Sequence, residues 1–167
     1  MTSWDDTFID MVHICSDRSK DTHTKVGAVI KGEGKEIISM GYNGMPRGVD
    51  DNVPARYERP EKYKYFAHAE ANAIFNLALR QLKGSSIYVQ WCPCCDCAKA
   101  IIQVGIKEVV LESTDIQSSN NGKWLESCIA TLIMFKETGV KVRLANKDGD
   151  ITDQLLTDYR YKLESSV

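Results

Sequence analysis

Apolar and polar positions along the first part of the chain predict one helix and a pair of strands. Ser3 can cap a helix with apolar residues near helical spacing, at Trp4, Phe8, Met11, Val12 and Cys15. Residues 26–31 and 36–42 are rich in β-branched and apolar side chains, and the glycine-rich segment 32–35 predicts a hairpin turn between them. Residues 43–65 contain several glycines and prolines, so little regular structure is expected there. Loops of this length inside a compact domain are often functional.

Helical and strand-like patterns alternate after this loop. Helices are predicted at 68–82, 93–104, 121–138 and 152–161, and strands at 86–91, 107–111 and 140–144. A hairpin followed by such alternation predicts an α/β sandwich around one mixed sheet. The length of 167 residues suits a single domain over residues 1–167.

Composition and charge narrow the function classes. The chain is 43% hydrophobic and 26% charged, with a net charge of −2, and no apolar run approaches the length of about 20 residues that a membrane span needs. Its acidic N-terminal residues do not resemble a signal peptide, so we expect a cytoplasmic protein without a membrane partner. The acidic balance also disfavours nucleic-acid polymers as partners. A small anionic ligand remains compatible, because one phosphate needs only a few local donors.

The cysteine distribution is the strongest chemical signal. Four of the six cysteines fall within residues 92–97, which in a cytoplasmic chain indicates metal binding before disulfides. Cys94 and Cys97 are three residues apart, so their thiols share one helical face near a predicted N-terminus, where thiolates are favoured. Pro93 is predicted at the first helical position. The rival pair, Cys92 and Cys95, is less favoured because Cys92 precedes the proline.

Two other cysteines and two histidines are expected to be ordinary. Cys15 and Cys128 lie in apolar helical surroundings and are interpreted as buried small hydrophobic residues. His13 is expected to have a packing or surface role, and His23, in a polar stretch, is expected to face solvent.

His68 is the natural third ligand, and Glu70 follows it at the start of a predicted helix. Three protein ligands leave one position for water, which is typical of a catalytic zinc site rather than a structural one. Glu70 would then act as a general base and acid beside the metal. The alternative is a structural zinc knuckle with an unrelated capping glutamate.

Four motifs together resemble the deoxycytidylate (dCMP) deaminases of the zinc-dependent cytidine/deoxycytidylate deaminase superfamily. These motifs are Val-Gly-Ala-Val-Ile at 26–30, Gly-Tyr-Asn-Gly-Met-Pro-Arg-Gly at 41–48, His-Ala-Glu-Ala-Asn-Ala-Ile at 68–74, and Pro-Cys-Cys-Asp-Cys-Ala-Lys-Ala-Ile-Ile at 93–102. The resemblance covers roughly residues 5–145. Trp91-Cys92 departs from the family pattern, which commonly has Thr, Leu or Phe there.

The resemblance implies a fold, a reaction and a set of site residues. The fold would be a three-layer α-β-α sandwich around one mixed five-stranded sheet. The reaction would convert dCMP and water to dUMP and ammonia, for dTMP synthesis, with one Zn²⁺ held by His68, Cys94 and Cys97 and with Glu70 as proton shuttle. Substrate-binding residues would be Asn43, which would hydrogen-bond the sugar, together with Val26, Ala69 and Tyr65. A homo-oligomer, commonly a hexamer, and allosteric control by dCTP and dTTP are also implied.

The sequence offers several candidates for the phosphate contacts and is compatible with more than one number of phosphates. Arg47, Arg56, Arg59 and Lys62 in the long loop are candidates for binding a phosphate or an effector. A deaminase that accepts dCTP, as well as or instead of dCMP, is the main alternative, and a nucleic-acid editing deaminase is a weaker one.

Overall fold

A mixed five-stranded sheet lies at the centre of the computed structural model, which describes residues 2–77, 82–115 and 121–165. Its strands are β1 (Gly27–Lys31), β2 (Ile37–Tyr42), β3 (Ser86–Val89), β4 (Glu108–Leu111) and β5 (Lys141–Leu144), in the spatial order β2-β1-β3-β4-β5. The first strand, β1, runs antiparallel to both β2 and β3, whereas β3, β4 and β5 are parallel. The predicted hairpin and the mixed sheet are therefore both present.

Six helices and one 3-10 turn complete the described chain. The helices are α1 (Trp4–Ser16), α2 (Lys62–Tyr65), α3 (Ala69–Phe75), α4 (Cys95–Gln103), α5 (Asn121–Thr138) and α6 (Thr152–Glu164), and the 3-10 turn is Pro54–Tyr57. The loop predicted at 43–65 is thus mostly irregular but contains two short helical segments. Residues 78–81, in the second half of the helix predicted at 68–82, lie outside the described residues.

The sheet is covered on both faces, which gives the predicted three layers. On one face α1 packs its buried Phe8 and Val12 against Val29, Tyr88 and Val110. The alternate strand residues, such as Ile30, Ile87 and Val109, contact a second and larger cluster with side chains from α3, α4, α5 and α6. Because both faces of the sheet are covered at its centre, β1, β3 and β4 are buried along nearly their whole length, whereas the edge strands β2 and β5 are partly exposed.

The N-terminus of α1 is fixed to the sheet by polar contacts. Ser3 caps the helix as predicted, in a capping box with Asp6. The Asp5 carboxylate accepts hydrogen bonds from Arg143 at 2.6 and 3.0 Å and from the Tyr88 hydroxyl at 2.7 Å. Trp4, which the apolar pattern assigned to the packed face, is 51% exposed, and Lys35 Nζ lies 4.7 Å from the centroid of its ring.

One helix boundary differs from the sequence prediction. Pro93 precedes the helix instead of opening it, because Cys94 has extended backbone angles and occupies the N-cap position of α4. The cysteine, and not the proline, therefore marks the beginning of this helix. Over the described residues, no helix combines the length and the hydropathy that crossing a bilayer requires.

Candidate active site

Strand topology gathers the predicted site at one edge of the sheet. Gly27 at the start of β1 pairs with Tyr42 at the end of β2, and Ala28 pairs with Val89 at the end of β3. The segments that precede β1 and follow β2 and β3 therefore meet at the same edge. The carboxyl end of the parallel strand β4 lies beside that of β3. Ligand sites of open α/β sheets commonly lie at such an edge.

Two helix N-termini meet at this edge and bring three metal-ligating side chains together. His68 is the N-cap residue of α3, and Cys94 is the N-cap residue of α4. The His68 Nδ1 atom lies 3.4 Å from Cys94 Sγ and 3.5 Å from Cys97 Sγ. All three ligand atoms lie within 4.8 Å of one another.

These distances fit a tetrahedral zinc ion. Zn–S bonds of about 2.3 Å and Zn–N bonds of about 2.05 Å at tetrahedral angles require S···N separations of about 3.6 Å. The observed separations differ from that value by no more than about 0.2 Å. Two thiols and one imidazole are a zinc-type donor set that leaves one coordination position for a non-protein ligand. His68, Cys94 and Cys97 can therefore hold a catalytic zinc ion.

The site favours the ionised form of one thiol. Hydrogen bonding with Cys97 and then with His68 lowers the pKa of Cys94 to about 4, although burial opposes this shift. Its hydrogen bond with Cys94 raises the pKa of His68 to about 9. Hydrogen bonding with Cys94 and burial raise the pKa of Cys97. A negative charge is thus favoured on Cys94, where the orphan N–H groups of α4 also favour it.

The Glu70 carboxyl group lies beside the ligand set and away from bulk water. Glu70 is only 6% exposed, and it lines the same cavity as His68 and Cys94. Burial raises the pKa of Glu70 above that of an ordinary glutamate. A buried carboxyl group at a metal site has the environment of a general acid–base residue.

Close packing of α3 against β2 fixes the position of Glu70. A Cβ atom on Gly41 of β2 would lie 2.4 Å from the Ala73 nitrogen and 2.5 Å from the Ala69 oxygen, so only glycine permits this approach. The Ser39 hydroxyl also donates a 2.7 Å hydrogen bond to the Ala73 oxygen. Side-chain amides of α3 donate to β2 as well, as in the 2.8 Å bond from Asn72 Nδ2 to the Tyr42 oxygen.

The remaining cysteines lie outside the ligand cluster. Cys95 is not a member of it, and its backbone N–H donates to Ser127 Oγ at 2.9 Å. Cys92 and Cys128 border the cavity, and Cys128 Sγ donates a weak 3.7 Å hydrogen bond to the Cys92 oxygen. Cys15 and Cys128 are buried, as predicted.

The two other histidines also lie away from the cluster. His13 contacts Glu112 at 2.8 Å on the surface, and His23 is exposed. Both placements agree with the ordinary roles expected for these residues.

A cavity of about 130 Å³ opens next to the ligand cluster. Among the residues expected to bind substrate, Val26, Asn43 and Ala69 line this cavity and Tyr65 does not. Tyr65 instead stacks under Arg56, whose guanidinium carbon lies 4.6 Å from the ring centroid. Its neighbours Tyr63 and Phe66 line the cavity instead.

Only two of the four candidate phosphate-binding cations reach the cavity. Arg59 and Lys62 line it. Arg47 donates to Asn76 Oδ1 at 2.7 Å on the surface, and Arg56 donates to the Asp50 oxygen at 2.6 Å. The long loop thus divides its basic residues between the pocket and the protein surface.

Sequence reasoning missed several residues of the cavity wall: Thr24, Phe66, Trp124 and Asp115. The Trp124 ring of α5 lies 6.0 Å from the His68 ring, between centroids. No spacing pattern connects Trp124 with His68 in the sequence, because tertiary packing brings them together.

Comparison with known proteins agrees with this geometry. The family model described as "Cytidine and deoxycytidylate deaminase zinc-binding region" matches residues 2–113. The human deoxycytidylate deaminase is 39% identical over 145 residues, which cover 84% of this chain and 78% of the human protein.

Solved structures show the same fold. The apo structure of dCMP deaminase from the cyanophage S-TIM5 superposes with a TM-score of 0.63 at 25% identity, covering 84% of this chain and 95% of that one. The same phage enzyme in complex with dCMP and dUMP gives a TM-score of 0.64 at 24% identity, over 83% and 94% of the two chains.

The fold and the His–Cys–Cys site define a zinc-dependent enzyme of the deaminase class. The chain belongs to the cytidine and deoxycytidylate deaminase family. The family resemblance and the three-layer fold expected from the sequence are both confirmed.

Proposed function

We propose that the protein hydrolyses the exocyclic amine of dCMP, giving dUMP and ammonia. The observation that carries the proposal is a cavity lined by Glu70, His68 and Cys94, with Cys97 in the same ligand cluster. The choice of dCMP is supported by two relatives whose names state this substrate, the human enzyme and the cyanophage enzyme at 25% identity. Residues 1–167 act in this proposal as one deaminase domain, since all described strands join one sheet.

The proposed chemistry divides between the metal site and Glu70. Zinc held by His68, Cys94 and Cys97 supplies Lewis-acid chemistry that makes water more acidic. Glu70 accepts a proton from the attacking water on a carboxylate oxygen and delivers it to the ring nitrogen of the base. The water oxygen bonds to the ring carbon that bears the amine, and its second proton passes through the same carboxyl group to the amine. The carbon–nitrogen bond then breaks and releases ammonia. The raised pKa of Glu70 suits this exchange, because its acid and base forms come closer in free energy near neutral pH.

The cavity charges support a monophosphate as substrate. Two cations, Arg59 and Lys62, and two carboxylates, Glu70 and Asp115, lie among its described lining residues. Lys62 is also paired with the buried Asp21. The two cations can contact one phosphate group. Because the carboxylates offset their charge, the cavity has no net positive charge to attract the larger negative charge of a triphosphate. We therefore place dCMP ahead of dCTP.

Assembly and regulation belong to the same proposal. Exposed apolar side chains on β2 and at the end of α3, namely Met40, Tyr42 and Phe75, offer a surface for a homo-oligomer, with a hexamer favoured by the family resemblance. Control by dCTP and dTTP, a cytoplasmic location and supply of dUMP for dTMP synthesis are proposed on that resemblance. Light scattering of the purified protein, with and without each effector, measures the assembly.

The test of function is ammonia release from dCMP, dCTP, CMP, deoxycytidine and single-stranded DNA, each with and without dCTP or dTTP as effector. We expect turnover of dCMP. Preferential turnover of dCTP or of single-stranded DNA would contradict the substrate assignment, and turnover of none would leave a zinc-binding module without this activity.

The role of Glu70 is tested by the isosteric Glu70→Gln variant. Loss of two assisted proton transfers should lower kcat by about 10⁴-fold or more while zinc content is retained. Glu112→Gln, on the surface beside His13, is the matched control and should keep wild-type kcat. A Glu70→Gln protein with wild-type kcat would remove Glu70 from the mechanism.

A further inference from the structure

One wall of the cavity is built from three separate segments of the chain. Thr24 and Val26 precede β1, Asn43 follows β2, and Lys62 begins α2. Segments that lie far apart in sequence need a shared anchor if their side chains are to keep fixed positions. One buried carboxylate contacts all three segments on the side away from the cavity.

That carboxylate belongs to Asp21, which is 1% exposed and is not among the residues that line the cavity. It accepts hydrogen bonds from the backbone N–H groups of His23 at 2.9 Å and Thr24 at 3.2 Å. It also accepts a 2.9 Å bond from Asn43 Nδ2 and forms an ion pair with Lys62 Nζ. Burial alone would raise the pKa of Asp21, but the contacts with Lys62 and with the backbone N–H groups of His23 and Thr24 hold this pKa below its usual range.

The network commits the Asn43 amide to one orientation. Its Nδ2 group donates both to Asp21 and to the Thr24 oxygen, each at 2.9 Å. Its Oδ1 atom accepts from the Val26 N–H at 2.8 Å. An amide has two donor hydrogens and two acceptor lone pairs, so one Oδ1 lone pair is left. Asn43 can therefore meet a ligand only as an acceptor, which suits a sugar hydroxyl group.

Asp21 also determines the position of Lys62. The Lys62 side chain is 9% exposed, with its ammonium group 5.3 Å from the centroid of the Phe66 ring. A buried ammonium group is retained only where a counter-charge offsets the loss of hydration. The ion pair with Asp21 uses part of its donor capacity and leaves the rest for an anion in the cavity.

We propose that Asp21 is the positioning residue of the substrate wall, holding Asn43 and Lys62 in the orientations in which they meet the sugar and the phosphate. This inference rests on the proposed function, because it takes a nucleotide as the occupant of the cavity. Asp21 itself does not touch the nucleotide, and the metal ligands and Glu70 do not depend on it.

The test is Asp21→Asn, which keeps the shape of the side chain and removes its charge. We expect the KM for dCMP to rise by at least about tenfold, the effect of losing one or two well-placed hydrogen bonds, with kcat changed by less than about threefold. Zinc content should stay at that of the wild type. The matched control is Asp5→Asn, which also breaks an ion pair and a backbone N–H contact but lies away from the cavity.

The control separates positioning from general stability. Asp5→Asn should lower the melting temperature without changing the KM, whereas Asp21→Asn should change the KM. An equal KM for wild type and Asp21→Asn, or an equal rise in both variants, would overturn the proposal. If Asp21→Asn does not fold, Asp21→Asn combined with Lys62→Met leaves no unpaired buried charge. Its KM should then exceed that of Lys62→Met alone, and equality of the two overturns the proposal.

A readout that is independent of turnover distinguishes this proposal from the proposed function. The Val26 amide hydrogen is protected by Asn43, so its exchange with solvent should be faster in Asp21→Asn than in the wild type and in Asp5→Asn. A wild-type protein that does not turn over dCMP would refute the proposed function while this exchange measurement still decides the architecture of the wall. Unchanged exchange at Val26 would refute the role of Asp21 whatever the activity.

Discussion

A single methyl group added at Gly41 should impair both catalysis and stability. In Gly41→Ala the new Cβ would lie 2.4 Å from the Ala73 nitrogen and 2.5 Å from the Ala69 oxygen. Both are backbone atoms of α3, so no side-chain rotation relieves the clash. Ordinary contacts begin at 3.4 Å, so α3 and β2 must separate by about 1 Å.

The expected loss of turnover in Gly41→Ala follows from the two site residues that α3 positions. Glu70 lies next to Ala69 in the first turn, and His68 is the N-cap residue. A displacement of about 1 Å in a catalytic group can lower turnover by about 10²-fold. Overpacking of this kind also costs about 1–3 kcal/mol of unfolding free energy, or several degrees in melting temperature for a chain of this size.

The assay is kcat for dCMP together with the melting temperature, and the control is Gly44→Ala. A Cβ at Gly44 would lie 3.8 Å from the Tyr42 ring, an ordinary contact, and Gly44 has no positive φ. Gly44→Ala should therefore keep kcat and stability close to those of the wild type. If Gly41→Ala were as active and as stable as Gly44→Ala, the close approach of β2 to α3 would not be what positions Glu70.

Three further predictions test the metal site, the N-terminal ion pair and the cavity wall. Cys97→Ser should reduce zinc content, measured per chain after dialysis, because a serine hydroxyl is a weaker zinc ligand than a thiolate, and full zinc occupancy would contradict the ligand assignment. Burial opposes the shift, but hydrogen bonds from Arg143 and neighbouring groups lower the pKa of Asp5 to about 2. The stabilisation from Asp5 is therefore present above 3.8, the pKa of this group in the unfolded chain, and is lost as the pH falls towards 2. Chemical denaturation of Asp5→Asn should therefore show about 1 kcal/mol less stability at pH 7, allowing for solvent screening, and a weaker acid dependence than wild type; equal acid dependence would argue against this account. Tyr65→Ala should leave the KM for dCMP unchanged while Tyr63→Ala raises it, and the reverse order would restore the substrate role expected for Tyr65 from sequence.

The elements of the fold could be predicted because each has a face that must be buried. Phe8 and Val12 follow helical spacing and lie on the packed face of α1. The predicted α5 coincides with the observed Asn121–Thr138, and the strands differ from prediction by a residue or two at their ends. Trp4 follows the same helical pattern but is half exposed, since at the first turn the packing of the sheet, not periodicity, decides burial.

The metal ligands were accessible from sequence for two different reasons. Cys94 and Cys97 meet through local geometry, because three residues from an N-cap return a side chain to the same side of the helix. His68 joins them from a different helix, and its spacing to the cysteines does not reveal the contact. Among the three histidines, His68 is favoured because Glu70 follows it at a predicted helix start, and the family resemblance implies the same ligand. The 3.4 Å and 3.5 Å separations give this choice a physical basis.

The other residues that line the cavity, and those that support them, could not be predicted in the same way. Tyr63 and Tyr65 are equivalent in the sequence, yet only Tyr63 reaches the cavity, because α2 is a four-residue helix oriented by its contacts and not by a periodic apolar face. Asp21 has no motif signal, and its importance follows only from the four groups that converge on it. Residues that act through tertiary contacts of this kind are visible only once the chain is folded.

In the proposed function, the residues of the chemistry and those of substrate recognition lie on different structural elements. His68, Cys94 and Glu70 lie at the N-termini of two helices, where orphan N–H groups favour the negative charges of thiolates and a carboxylate. Asn43 and Lys62 lie on loops and a short helix that depend on one buried anion. Substitutions at the helix termini should therefore change mainly kcat or zinc binding, and substitutions of Asp21 or of the residues that it contacts should change mainly KM. A KM effect of Asp21→Asn alongside a kcat effect of Glu70→Gln would establish this division, whereas a large kcat loss in Asp21→Asn would show that the wall and the metal site move as one unit.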